Sequence, residues 1–287
     1  MTSRKRSVLI TGCSDGGLGA ALVVAFQDAG FHVYATARNP AKMKSLEGQN
    51  DIETLQLDVQ SAESIKNCFD KIEQLDILVN NAGANTPMPV NDLDIDKAKE
   101  TFDLNVFSQI KVSQVFLPLL VKSRGMIVNQ TSLAAATAIP FQSIYNSSKA
   151  AMAMVTDTMR LELQPFGVRV IELRTGVIRT SFIQNMKNAQ DLRLPTGSIY
   201  APAREVVEKA MRQEGFEGQG MEAASWAKAV VGDLVRKNPP HIIWRGESVW
   251  MVWLMSFLPH GTFDRILKRV ARLDMVEKII AIHSGEA

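Results

Sequence analysis

The sequence is most informative at a glycine-rich segment near its start, Val8-Leu9-Ile10-Thr11-Gly12-Cys13-Ser14-Asp15-Gly16-Gly17-Leu18-Gly19. It lies between an apolar run at Ser7–Thr11, which predicts a buried strand, and the segment Ala20–Ala29, which predicts a helix ended by Gly30. Glycine lets a chain turn sharply and approach a ligand closely, and the first turn of a helix offers free N–H groups to an anion such as a pyrophosphate. A strand before the turn and a helix after it favour this interpretation over a tight turn that binds nothing.

On either side of this turn, strand and helix patterns alternate as far as Thr180. The sequence predicts further strands at Phe31–Ala37, Ile52–Leu57, Ile77–Val79, Gly125–Gln130 and Val168–Leu173. It predicts helices at Pro40–Leu46, Ala62–Gln74, Leu93–Leu120 and Ser143–Leu163. Such alternation indicates a parallel sheet covered on both faces, and right-handed crossovers then give a doubly wound fold. We therefore predict an α/β protein of the Rossmann type, a single domain with a C-terminal helical extension.

The pattern weakens after Thr180, and this suggests how the chain is divided. Residues 1–237 are predicted to form the dinucleotide-binding and catalytic domain, in which Ala223–Lys237 is a helix. Within it, residues 183–224 are rich in proline and glycine and are predicted to be a substrate lid. Residues 238–287 are predicted to form an apolar and basic extension.

Composition excludes several classes of function. A formal net charge of +2 gives no sign of nucleic-acid binding. The two cysteines, Cys13 and Cys68, do not make a disulfide framework, and none of the four histidines has metal-ligand spacing. We therefore expect no nucleic-acid partner and no metal. The apolar run after the basic start of the chain is too short for a signal peptide, and no run reaches the ~20 apolar residues of a spanning helix, so we expect a cytoplasmic protein.

The end of the second strand indicates which dinucleotide is bound. An NAD-binding fold usually places an acid there to hold the ribose hydroxyl, whereas this chain has Ala37 followed by Arg38. A guanidinium matches a 2′-phosphate. The sequence therefore favours NADPH/NADP+ as the cofactor, and the alternative is that Arg38 is only a solvated charge near a helix cap.

Several motifs now occur in order, and together they resemble the short-chain dehydrogenase/reductase family over about residues 7–180. They are Thr11-Gly12-x-x-x-Gly16, Asp58-Val59, Asn80-Asn81-Ala82-Gly83, Asn105, Ser132 and Tyr145-x-x-x-Lys149. More narrowly, the glycine turn and the Trp-rich tail resemble fungal acyl-dihydroxyacetone-phosphate reductase-like proteins and ketoreductases of secondary metabolism.

The family resemblance implies a role for each matching residue. It implies a catalytic tetrad of Asn105, Ser132, Tyr145 and Lys149. It also implies that the cofactor is held by Gly12, Ser14, Gly16, Gly17, Leu18, Gly19, Arg38, Asp58, Val59, Asn81, Ala82, Gly83, Tyr145, Lys149, Val177, Ile178 and Thr180.

The chain departs from the family pattern at two places. Leu18 stands where the third glycine of the turn usually lies, so the turn reads as one residue longer and the contacts of Ser14 and Asp15 are left open. After the sixth strand the family usually has Pro-Gly, and this chain has Thr175-Gly176, which predicts a less rigid loop.

The tetrad suits the reduction of a ketone. Tyr145 and Lys149 are spaced i,i+4 and share one face of a helix, so we expect the ammonium to lower the pKa of the phenol. Ser132 is expected to hydrogen-bond the carbonyl oxygen, and Asn105 to hold a proton relay through water and a bent helix. In isolation, each residue also fits an ordinary helix pair or turn hydroxyl.

The tail leaves alternatives open. Ser248–Leu258 is strongly apolar, and the cations Lys268, Arg269 and Arg272 follow it. Residues 248–272 fit peripheral contact with a membrane, or a core helix or dimer contact that walls an apolar pocket. The first would place the protein at the endoplasmic reticulum or lipid droplets, and the second allows a homo-oligomer.

The favoured function is reduction of a lipophilic ketone, of lipid, polyketide or secondary-metabolite type, by NADPH with Tyr145 as proton donor. The alternatives are oxidation of a steroid- or retinoid-like alcohol, and a non-catalytic NADPH-binding protein at a membrane surface.

Overall fold

The apolar runs predicted as strands form one parallel sheet of seven strands. This is seen in a computed structural model that describes residues 4–180, 192–215, 218–259 and 261–285. The sheet strands are β1 (Ser7–Thr11), β2 (His32–Ala37), β3 (Ile52–Gln56), β4 (Ile77–Asn80), β5 (Met126–Gln130), β6 (Arg169–Thr175) and β9 (Ile242–Arg245). Two further short strands, β7 (Ile178–Arg179) and β8 (Met221–Glu222), pair with each other.

The strand order is β3-β2-β1-β4-β5-β6-β9, so the direction of winding reverses between β1 and β4. Val8 pairs with Val33 of β2 on one side and with Ile77 of β4 on the other. In open parallel sheets, ligands bind at the carboxyl ends of the strands beside such a reversal. The predicted doubly wound Rossmann fold is confirmed.

The helices cover both faces of the sheet. They are α1 (Leu18–Asp28), α2 (Ala62–Phe69), α3 (Ile95–Phe102), α4 (Ser108–Ser123), α5 (Ser143–Leu163), α6 (Arg204–Met211), α7 (Ala223–Leu234), α8 (Val249–Met255), α9 (Asp264–Val270) and α10 (Leu273–Ser284). Helices α1 and α7 pack together on one face, where Phe26 and Trp226 are fully buried. Helices α2 and α4 cover the other face with Ile65, Phe116 and Leu120. Burial on both faces explains why the central strands read as continuous apolar runs.

Helices α3 and α4 are joined without a break through a π-helical turn at Asp103–Phe107. Among the described helices, Ile95–Ser123 is the one long and apolar enough to cross a membrane by length and composition. Its residues Val112, Phe116 and Leu120 are buried against the sheet.

Two predicted helices are shorter than expected. The segment Pro40–Leu46 forms two separate 3-10 turns rather than one helix, because Met43 interrupts it with a φ of −116°. Helix α2 ends at Phe69 rather than Gln74, where the bond from the Ile72 N–H to the Phe69 carbonyl tightens the chain. That turn brings Ile72 and Leu75 into the core.

The sheet also reaches past residue 237. Strand β9 pairs in parallel with β6, with Ile243 opposite Leu173, so the segment assigned to the extension begins with an edge strand of the sheet. Helices α8, α9 and α10 follow it, as the predicted helical extension requires. The division into domains itself stays a prediction.

The segment predicted as a substrate lid is only partly described, since residues 181–191 and 216–217 lie outside the described residues. Its described part carries α6, which packs against the C-terminal helix α10 in a small apolar cluster. That cluster contains Phe141, Leu192, Leu194, Ala203, Val207, Met211 and Val276. Phe141, just before α5, joins the lid segment to the main fold.

Candidate active site

The glycine turn has the conformation that its sequence requires. Gly12 and Gly16 have φ angles of 75° and 74°, which favour glycine, and Gly17 caps α1 at its N-terminus. A Cβ at Gly12 would lie 3.0 Å from the Cα of Ala82. A Cβ at Gly19 would collide with the carbonyl of Gly12. Gly19 therefore supplies the close packing that a third glycine provides, and Leu18 begins the helix.

The extra residue of the turn is held by the segment that follows β2. The Asp15 N–H donates to the carbonyl of Lys42 at 2.7 Å, and the Ser45 hydroxyl donates to the Asp15 carboxylate at 2.5 Å. The Gly17 N–H donates to the carbonyl of Ser14 at 3.0 Å. The contacts of Ser14 and Asp15 therefore hold the loop to the segment after β2 and to the start of α1.

The motif after β4 is tied to the glycine turn. The hydroxyl of Thr11 accepts hydrogen bonds from the N–H groups of Asn81 and Ala82, both at 3.0 Å. The Asn81 side chain donates to the carbonyls of Thr11 at 2.7 Å and Gly12 at 3.1 Å. These bonds lock the carboxyl ends of β1 and β4 together beside the point where the strand order reverses.

The residues predicted to lie beside the adenine end of the cofactor differ in their exposure to solvent. Arg38 follows β2, is exposed, and forms no ion pair with an acid in the described parts of the chain. Asp58 accepts a hydrogen bond from the N–H of Gln60 at 3.0 Å and donates its own N–H to the Ser64 hydroxyl at 2.9 Å. Val59 is buried in the core. The structure thus leaves the guanidinium of Arg38 available to an anionic ligand.

Asn105 lies in the π-helical turn and is fully buried. Its side chain donates to the carbonyl of Ala84 at 2.8 Å and to the Ser148 hydroxyl at 3.0 Å, and it accepts from the Ala84 N–H at 2.9 Å. A Cβ at Gly83 would lie 2.9 Å from Asn105 Oδ1 and 3.5 Å from Lys149 Nζ. The irregular helix predicted at Asn105 is present. It places this side chain near Lys149, at the carboxyl ends of the central strands.

Ser132, Tyr145 and Lys149 come together at the carboxyl end of β5. The Ser132 hydroxyl accepts from the Ala134 N–H at 3.2 Å, and its side chain is hydrogen-bonded to the Tyr145 phenol. Lys149 Nζ donates to the carbonyl of Gln130 at 3.0 Å and lies 5.6 Å from the centre of the Tyr145 ring. The proposed tetrad is therefore one cluster in space.

Burial governs the protonation of this cluster. It lowers the pKa of Lys149 from 10.5 to about 8, because a buried ammonium is poorly solvated. It raises the pKa of Tyr145 above its ordinary value, and the hydrogen bond with Ser132 acts in the opposite direction. The expected lowering of the Tyr145 pKa by Lys149 is wrong for this structure, because burial of the phenol outweighs the effects that favour its ionisation.

The loop after β6 is better held than the missing proline suggests. The Gly176 N–H donates to the carbonyl of Arg245 at 2.9 Å, and Val177 exchanges two backbone hydrogen bonds with Glu247. Ile178 lies in β7, paired with β8. Thr180 ends this described segment, half-buried. Backbone pairing thus constrains residues 175–179 where the family has a proline, and the lower rigidity of the loop stays a prediction.

Two supporting residues were missed by reasoning from sequence. Ser148 orients Asn105, and the backbone carbonyl of Gln130 anchors Lys149. Every residue has a backbone carbonyl, so the residue type of Gln130 does not indicate this contact. Ser148 carries only a weak signal, its position one residue before Lys149.

The family model described as short chain dehydrogenase matches residues 6–191. The chain belongs to this family. It is an oxidoreductase, and curated short-chain dehydrogenases support the assignment over nearly the whole chain. A short-chain dehydrogenase/reductase from Pestalotiopsis microspora is 51% identical over 282 residues, which cover 98% of this chain and 100% of that one.

Further relatives bear on the cofactor and the fold. The NADPH-dependent 1-acyldihydroxyacetone phosphate reductase of Schizosaccharomyces pombe is 36% identical, with 94% of this chain and 95% of that one covered. A short chain dehydrogenase of Burkholderia cenocepacia in complex with NADP superposes with a TM-score of 0.71 at 22% identity, covering 93% of this chain and 99% of that one. The predicted NADP(H) cofactor agrees with the name of the first, and the second shares the fold of this short-chain dehydrogenase.

Proposed function

We propose that this short-chain dehydrogenase is an NADPH-dependent ketoreductase that reduces a lipophilic ketone, with Tyr145 as the proton donor. The observation that carries the proposal is the cluster of Ser132, Tyr145 and Lys149 at the carboxyl end of β5, beside the glycine turn. A binding module has no need of a buried phenol and a buried ammonium side by side.

The residues present fit a dinucleotide. The positive φ angles of Gly12 and Gly16 open the turn, and the first N–H groups of α1 have no acceptor within the helix, which suits a pyrophosphate. Arg38 is exposed where an NAD-specific fold would place an acid. The name of the fission-yeast relative, an NADPH-dependent reductase, supports the same choice.

The chemistry follows from the protonation states. NADPH, when bound, supplies the hydride for the carbonyl carbon. Tyr145, whose pKa is raised by burial, holds its proton at neutral pH and gives it to the carbonyl oxygen. Ser132 stabilises the negative charge that develops on that oxygen. The Lys149 ammonium, with a pKa of about 8, stabilises the tyrosinate left behind and can return a proton to it.

A lipophilic substrate is supported by the apolar surroundings of α5. Phe141, four residues before Tyr145, is buried and packs edge-on against Tyr200 with ring centres 5.9 Å apart. The Met88 N–H donates to the Phe141 carbonyl at 2.7 Å. The ring contact joins the lid segment to the N-terminus of α5, and the backbone bond fixes Phe141 to the segment that contains Met88. The name of the fission-yeast relative, a 1-acyldihydroxyacetone phosphate reductase, supports such a substrate.

The test is NADPH consumption followed by absorbance, with three lipophilic ketones: an acyl-dihydroxyacetone phosphate, a β-keto acyl thioester and a steroid ketone. Turnover of at least one, faster with NADPH than with NADH, is expected. If NADPH binds and a wide panel of ketones is left unreduced, while alcohols are oxidised or nothing reacts, the reductase assignment is wrong.

A further inference from the structure

Helix α8 presents large apolar side chains to solvent. Trp250 is 69% exposed, Trp253 48% and Leu254 47%, and in the residues that follow the helix Phe257 is 68% exposed and Leu258 42%. Single exposed apolar residues are ordinary, but five within nine positions form a patch that marks an interaction site. For α8, the interpretation as a core helix is therefore wrong.

The exposed apolar patch belongs to an ordered helix that is attached to the sheet through β9. Helix α8 follows the edge strand β9 closely, and Val252 is its one buried residue. Outside, the rings of Trp253 and Phe257 stack edge to face with centres 5.0 Å apart. The helix thus has an anchored inner side and an aromatic outer side that nothing in the described chain covers.

The charges around the patch are distributed to suit one kind of partner. No charged residue occurs between Val249 and Pro259. The next helix, α9, carries Arg265 and Arg269, which are exposed and form no ion pair with any residue that the structure describes. Lys268 between them is bound to Glu277 at 2.6 Å. An uncharged aromatic surface followed by unpaired cations is typical of segments that lie at an anionic bilayer.

The size of the patch argues against a second copy of this chain. The five side chains expose roughly 500 Å² in total, if an aromatic residue offers about 150–250 Å². A stable protein–protein interface buries about 800 Å² on each partner. A membrane needs no matching surface of that size, because apolar groups enter it one by one.

We propose that α8 and residues 256–258 dock on a membrane surface that contains anionic phospholipid. The aromatic rings lie at the boundary between headgroups and acyl chains, and Arg265 and Arg269 face the phosphates. Docking on a membrane does not depend on the proposed reaction, although it would bring the protein close to a lipophilic substrate.

The experiment is co-sedimentation of the full chain with phosphatidylcholine vesicles, with and without phosphatidylserine. The variant Trp250→Ser/Trp253→Ser/Phe257→Ser is compared with Phe107→Ser/Phe166→Ser, which removes two exposed rings far from α8 in sequence. Circular dichroism checks that both are folded. We expect the wild type and the control to bind anionic vesicles, and the triple variant to bind at least about 10-fold more weakly, because three apolar side chains no longer enter the bilayer.

The contribution of the cations is tested with Arg265→Gln/Arg269→Gln. This variant is expected to bind anionic vesicles more weakly and to bind neutral vesicles as weakly as the wild type does. The proposal is overturned if the wild type sediments with neither vesicle, or if the triple variant binds as well as the control. It is also overturned if light scattering shows a dimer that the triple variant alone dissociates, because the patch would then be an interface between copies.

Discussion

The ammonium of Lys149 lies 3.0 Å from the backbone carbonyl of Gln130, in a side chain that is almost fully buried. That carbonyl is the last of β5, so the lysine is fixed to the sheet and not only to its own helix. Burial of this cation is the largest cause of its lowered pKa. A group that we propose takes part in the reaction is thus held at a cost in stability, and this cost can be measured.

Replacing Lys149 should change how stability depends on pH. The folded chain holds this proton up to about pH 8, whereas the unfolded chain holds it up to 10.5. Between these values the unfolded state binds more protons, so this group makes the wild type more stable as pH rises, and below about pH 8 its full destabilising effect is present. We expect Lys149→Met to gain stability relative to the wild type near neutral pH, and to lose that advantage by roughly 3 kcal/mol as pH rises through this window.

Urea unfolding across that pH range measures the difference between the two proteins. Lys122→Met, at an exposed position of α4, is the matched control and should give a constant difference. A constant difference for Lys149→Met as well would mean that the pKa of Lys149 is not lowered.

Arg38 should decide the choice of cofactor. Arg38→Asp removes the guanidinium at the end of β2 and restores the acid that binds a ribose hydroxyl. Because a charge-assisted hydrogen bond contributes about 1.5–3 kcal/mol, NADPH should bind roughly 10- to 100-fold more weakly, and NADH should bind more tightly. Titration by nucleotide fluorescence measures both, and Lys122→Asp is the control. Unchanged NADPH affinity would show that Arg38 is only a solvated surface charge.

Gly19 should tolerate no side chain. Gly19→Ala places a methyl group against the Gly12 carbonyl and 2.8 Å from the Asn81 side chain, so the glycine turn must move. We expect a loss of NADPH affinity of at least about 10-fold, as the N–H groups of the turn leave their positions. Gly232→Ala, inside α7 with open space around it, should instead stabilise the fold by about 0.5–1 kcal/mol. Normal NADPH binding by Gly19→Ala would contradict the packing described for the turn.

Asn105 should affect both stability and kcat, because it holds the backbone of Ala84 and lies close to Lys149. Asn105→Ala leaves the N–H and the carbonyl of Ala84 without their partner, and should lower the free energy of unfolding by about 1–3 kcal/mol. It should also lower kcat more than it raises the KM for NADPH, because the residue faces Lys149 across Gly83. Asn91→Ala, at an exposed site, is expected to change neither. Equal loss in kcat and in NADPH binding would mean that the residue only supports the fold.

Much of the fold could be predicted because residues close together in the sequence determine most of its strands and turns. Runs such as Val8–Ile10 are apolar throughout, as strands buried on both faces must be, and the glycines of the turn mark a backbone that other residues rarely adopt. Strand β9 was missed because its first residue, Ile242, is exposed, and because its partner β6 lies far away in sequence.

The sequence predicts which residues form the candidate site, but it does not predict how deeply they are buried or how burial shifts their pKa values. The spacing of Tyr145 and Lys149 placed both on one helix face, but spacing carries no information on solvation. Burial comes from the packing of α5 against the sheet, and it reverses the expected direction of the Tyr145 pKa. The pairing of Val177 with Glu247 likewise depends on residues far apart in the chain.

Comparison of Tyr145→Phe with Tyr34→Phe tests whether Tyr145 gives the proton to the ketone during its reduction. Tyr34 is half-buried in β2, on the opposite side of β1 from β4 and β5, and serves as the matched control. With a ketone that the wild type reduces, Tyr145→Phe should bind NADPH normally and lose at least about 100-fold in kcat, while Tyr34→Phe keeps its rate. Turnover by Tyr145→Phe at the wild-type rate would mean that Tyr145 is not the proton donor.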